Sequence, residues 1–90
     1  MPVSTSRYLR IPKHIRFPFG YTVHIKQITL KELEDRCGAS VLGLWEDDIR
    51  TIFIGKDLKV ARKRWVLLHE LIHAWADFQL YCTEIGIAQP

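Results

Sequence analysis

Between Tyr21 and Ile28 apolar side chains alternate with polar ones: Tyr21, Val23 and Ile25 are separated by Thr22, His24 and Lys26, and Ile28 follows. A period of two sends successive side chains to opposite faces, so this segment is expected to be a strand with one buried face and His24 on the polar one. Thr29 then precedes Leu30-Lys31-Glu32-Leu33-Glu34-Asp35-Arg36, with Glu32 three residues on and Gly38 just past the end. These are the marks of a capping box and a glycine stop, and they predict a short helix that buries Leu30, Leu33 and Cys37. Two apolar runs, Val41 to Trp45 and Thr51 to Ile54, flank Glu46-Asp47-Asp48 and predict a hairpin. After a turn at Gly55-Lys56 the period lengthens. Asp57 is expected to cap a helix from about Leu58 to Tyr81, a stretch without Gly or Pro.

That helix is apolar on most of its faces, through Val60, Trp65, Leu67, Leu68, Leu71, Ile72, Ala74, Trp75 and Phe78, as for a helix buried through the middle of a small domain. One polar stripe interrupts it. At about 100° per residue, Arg62, His69, Glu70, His73 and Asp77 fall within roughly a third of the circumference. His69-Glu70-Leu71-Ile72-His73 reads H-E-x-x-H, and residues four apart lie one turn apart on one face, so both imidazoles can hold one metal ion with Glu70 beside it. Neutral imidazoles suit zinc, which acidifies a water, and a neighbouring carboxylate can take the released proton and pass it to a leaving amine. Glu70 is the expected general base. The bland alternative is two core histidines satisfied by carbonyls, with Glu70 solvated.

Composition narrows the class. Ninety residues, 48% apolar and 26% charged, describe one small globular domain. No apolar stretch approaches the ~20 residues of a membrane span and the N-terminus lacks a signal-peptide core, so a soluble, cytoplasmic chain is expected, without membrane contact. Cys37 and Cys82 are isolated thiols, which indicates neither a disulfide framework nor a zinc ribbon. The net charge of +3 has one origin: residues 1–20 carry Arg7, Arg10, Lys13 and Arg16 and no acid, whereas the rest carry nine basic and ten acidic side chains. With Pro2, Pro12 and Pro18, residues 1–20 read as an extended basic arm before a domain at 21–90. The favoured role for the arm is an edge segment that packs Tyr8, Ile11, Ile15, Phe17 and Phe19 on the domain; contact with nucleic acid is the less favoured one. No P-loop, G-x-G-x-x-G or serine elbow is present, and Arg62-Lys63-Arg64 reads as a solvated helix face.

Residues 69–77, HELIHAWAD, resemble the active-site helix of the zincin metallopeptidases, and Leu67-Leu68 with His73-Ala74-Trp75 is similar to SprT-like and ImmA/IrrE-type members. Thermolysin-like peptidases also carry an Asp four residues after the second His, where Asp77 stands. The resemblance spans roughly residues 41 to 80. It implies an α+β fold, a small antiparallel or mixed sheet packed on one long buried H-E-x-x-H helix with a short helix besides. It also implies a zinc cofactor and a peptide or protein substrate, held extended along an edge strand that is either Thr51 to Ile54 or its hairpin partner. SprT-like domains take their third ligand from a later His, and none follows His73. Gluzincins take it from a downstream Glu, and only Glu84 follows, so the expected ligand set is His69, His73 and Glu84. Asp77, Cys82 or a residue from a partner subunit are the alternatives, Asp77 being better suited to orienting an imidazole. Tyr81 and Arg62 are the candidates for stabilising an oxyanion. Small gluzincins made as proenzymes further suggest the arm as a latency segment across the cleft. Two other readings stand beside the peptidase: a non-catalytic metal-binding module whose arm contacts nucleic acid or a protein partner, and a homo-oligomer that completes the site.

Overall fold

A computed structural model describes residues 10–86, which form a four-stranded mixed sheet and two helices. In chain order these are β1 (His14–Arg16), β2 (Thr22–Ile28), α1 (Leu30–Cys37), β3 (Gly43–Glu46), β4 (Thr51–Gly55) and α2 (Val60–Glu84). The sheet order is β1-β2-β4-β3; β2 and β4 run parallel, and the two outer pairings are antiparallel. The β3–β4 hairpin therefore docks through β4, which puts β4 in the interior and leaves β3 as an edge. Of the two candidate edge strands, Thr51 to Ile54 is excluded because both its sides are paired.

Register assigns the faces. Ile25 lies opposite Ile52 and Gln27 opposite Ile54, so Val23, Ile25, Ile52 and Ile54 share one face, where they pack with Val66, Leu67, Ala74 and Phe78 of α2. Phe53 points the other way, toward α1, and Leu33 is fully buried there. Arg36 crosses from α1 to lie 4.3 Å from the centre of the Phe53 ring and forms an ion pair with Glu46 of β3. The α1 boundaries follow the local signals: the Thr29 side chain accepts the Glu32 N–H, Glu32 reaches back to the Thr29 N–H at 3.0 Å, and Gly38 closes the helix at φ 80°. Asp57 acts across the chain. Its carboxylate accepts the Leu30 N–H at 3.1 Å, so it serves the start of α1 and not α2, whose N-cap residue Lys59 makes no side-chain cap.

Helix α2 differs from expectation in one further respect. It is buried on one side only, and Leu68 and Ile72 are 63% and 69% exposed on the other. A single sheet can cover one side of a helix, and among the described residues no further layer lies over the outer one. The arm also has a defined place from Arg10 onward: β1 pairs with the far edge of β2, Ile15 and Phe17 pack on the core, and Phe19 is exposed. Tyr8 lies outside the described residues. Because β1 and β3 occupy opposite edges, residues 10–20 do not cross the cleft beside β3, as the latency reading requires. Both cysteines are free, Cys37 exposed and Cys82 buried. Among the described residues no helix is long and apolar enough to cross a membrane.

Leu33 is the central contact between α1 and the sheet, and Leu33→Ala is expected to remove about 2–5 kcal/mol of unfolding free energy, read from denaturant midpoints. A loss below about 0.5 kcal/mol, the size of an ordinary surface change, would show that α1 is not packed as described.

Candidate metal centre

The middle of α2 runs alongside β3 and carries His69, Glu70 and His73. The two imidazole rings lie 5.3 Å apart, centre to centre, and both residues are exposed. Trp65, one turn before His69, stacks on its ring at 5.6 Å with the planes 16° apart, which restrains that imidazole. Glu70 faces inward. It is partly buried between α2 and β3, and burial pushes its carboxyl above the usual carboxylate range while the neighbouring histidines pull it down. A carboxyl that burial makes harder to ionise, set beside two imidazoles, has the chemistry to accept a proton and pass it on.

Two clefts of about 340 Å³ each meet at Glu70. One is mainly apolar, between Val41, Leu42, Trp65 and Val66; the other runs past Leu44 and Trp45 toward His73 and Asp77. Gly43 lines both, and its lack of a side chain is what allows the close approach. A Cβ on Gly43 would stand 2.3 Å from Val66 Cγ1 and 3.2 Å from the Phe53 carbonyl oxygen. Two residues on, the Trp45 indole N–H donates to Asp77 Oδ2 at 2.5 Å and ties the edge strand to the helix one turn past His73. Neither Gly43 nor Trp45 was expected at the site from the sequence. The available signal was the period of two in the hairpin, which puts residues 43 and 45 on one face.

The structure brings together His69, Glu70 and His73 but not the rest of the expected set. Glu84 lies in the last turn of α2, eleven residues beyond His73, and at about 1.5 Å of rise per residue that is roughly 16 Å along the axis. It lines a separate cavity with Arg50, Asp47 and Tyr81. Among the described residues no group of three or more His, Cys, Asp or Glu side chains is placed to hold a metal ion. The Asp77 carboxylate is engaged by Trp45, and Cys82 is part of the core. His24 projects from the sheet face opposite α2. The Tyr81 hydroxyl donates to the Phe19 carbonyl at 3.3 Å, away from the cleft, and Arg62 lies about two turns before His69 on the exposed surface. Two imidazoles in this relation fit a zinc ion as half of a tetrahedral donor set.

A peptidase family model described as the IrrE N-terminal-like domain matches residues 18–88. No curated protein and no solved structure matches the chain.

The tight contact at Gly43 gives a direct check. Gly43→Ala forces a Cβ against the stiff Val66 side chain and a backbone carbonyl, and overpacking of this kind costs about 1–3 kcal/mol. Thermal denaturation should show that loss in Gly43→Ala and its partial recovery in Gly43→Ala/Val66→Ala. Unchanged stability in the single variant would mean that β3 stands further from α2.

Proposed function

The chain belongs to the IrrE N-terminal-like family of metallopeptidase-like domains, and on that premise we propose that it is a zinc-dependent peptidase in which Glu70 is the general base. One observation carries this reading: an inward-facing Glu70 flanked by two exposed imidazoles a helical turn apart, opposite the edge of β3 that is unpaired among the described residues. His69 and His73 are the two ligands that α2 supplies. A zinc ion held there would polarise the scissile carbonyl and acidify a water. Glu70 takes the proton from the attacking water and returns it to the leaving amine. The side of β3 that is unpaired among the described residues receives the substrate as an added strand, through main-chain hydrogen bonds that ask little of its sequence. Trp45 and Asp77 position that edge against the helix. The apolar cleft between Leu42 and Trp65 accepts a substrate side chain next to Glu70.

Catalytic zinc sites ordinarily have three protein ligands, and the third is not among the described residues around the pair. That observation favours a second reading, a metal-binding module of the same family without hydrolytic activity.

Zinc titration and peptide hydrolysis separate the two. One zinc per chain is expected, abolished by His73→Ala and unaffected by Glu84→Ala. Glu70→Gln should retain zinc and lose about 10²–10⁴-fold in hydrolysis, the usual contribution of a general base. Zinc binding with no hydrolysis in the parent protein would establish the non-catalytic module; zinc indifferent to His73→Ala would remove both readings.

A further inference from the structure

A ladder of rings runs along α2. Trp65, His69 and His73 stand four residues apart, hence about one turn apart, and their two contacts differ in kind. The indole lies nearly parallel to the His69 ring, with 16° between the planes at 5.6 Å, whereas the two imidazoles meet edge to face, with 70° between the planes at 5.3 Å. His69 therefore has an aromatic face one turn before it and the other imidazole one turn after it. An imidazole that holds a metal is ordinarily oriented by a hydrogen bond at its second nitrogen. Among the described residues the His69 ring makes none, and the stack on Trp65 is what orients it. Trp65 has a second contact. With Val41, Leu42, Gly43 and Val66 it lines the apolar cleft of about 340 Å³ that ends at His69 and Glu70, and it is the largest side chain in that wall. It is also 58% exposed, so the core does not fix its ring.

We propose that Trp65 is a positioning residue for the metal centre and at the same time the selector of the substrate side chain, an inference that rests on the peptidase reading above. The indole holds the His69 ring in one orientation before a metal binds, so less side-chain freedom is lost on binding. The same indole is the surface on which a large apolar side chain of the peptide, leucine or phenylalanine, packs beside Glu70. A side chain seated there confines the indole to its stack. Whatever confines the indole steadies His69, so peptide and zinc act on one ring, and each raises the affinity for the other by the same factor. An alanine side chain is too short to press on the indole and has no such effect. The sequence preference of the site and its hold on zinc are thus carried by one residue.

Three measurements on the full chain test this. In the metal-free protein, NMR should find the His69 ring protons displaced upfield by the indole ring current, and Trp65→Leu, which keeps apolar bulk but has no ring, should return them to their usual range. Competition with a chromophoric chelator should show zinc held about tenfold more weakly by Trp65→Leu, the size of loss typical of a ligand without its orienting partner. Trp65→Phe should fall in between, with the circular dichroism spectrum unchanged in both variants. In Glu70→Gln, where a peptide is not consumed, a blocked pentapeptide with a central phenylalanine should tighten zinc by about threefold to tenfold, the scale of one aromatic contact. The same peptide with a central alanine should not. His69 ring signals indifferent to Trp65→Leu, zinc held equally by the parent and Trp65→Leu, or zinc affected equally by the two peptides would overturn the inference and leave the peptidase reading standing. A parent chain that binds no zinc would remove both.

Discussion

A single methyl group does not fit between Gly43 and the side chain of Val66, and the cleft follows from that closeness. With β3 against α2, Glu70 is partly covered and its carboxyl is harder to ionise, yet it remains open to two pockets that converge on it. The Trp45 to Asp77 hydrogen bond holds the same strand one turn further along. Distance and electrostatics are therefore set by one contact: moving β3 outward would hydrate Glu70, lower its pKa and detach the edge that faces the histidines. The chemistry of the site and the packing of the sheet cannot be adjusted separately.

The rest of the architecture serves to present that contact. The parallel pair β2 and β4 forms the centre of the sheet, with Ile52 and Ile54 excluded from water, and α1 covers Phe53 from the opposite face. This leaves α2 supported along one side only. A helix this apolar, carried by one sheet, leaves its outer surface uncovered among the described residues.

What could be read from the sequence was local. The alternation from Tyr21 to Ile28, the Thr29–Glu32 capping box with Gly38, and the H-E-x-x-H spacing each depend on residues a few positions apart, and each element formed where these signals stand. What could not be read was tertiary. Nothing in Thr51 to Ile54 distinguishes an inner from an edge strand, because that depends on which side β2 occupies. Asp57 has the chemistry of a cap for the helix that follows it, but the Leu30 N–H lies within its reach once β2 and β4 are paired. Glu84 was a plausible downstream ligand only while a break after Tyr81 was assumed; the chain has no glycine until Gly86, so the helix continues and carries the carboxylate away from the histidines. The one-sided burial of α2 was hidden for a different reason, since an apolar pattern reports what avoids water and not how many layers are available to exclude it.

The tryptophans give the protein an optical property of its own. Trp65 lies flat on the ring of His69, and Trp45 shares its indole proton with the carboxylate one turn beyond His73. Indole emission responds to the charge and polarity of its immediate neighbours, so a change at the His69 ring is expected to alter the contribution of Trp65 to the fluorescence of the chain. The reporter is built from the same stacking that restrains the histidine.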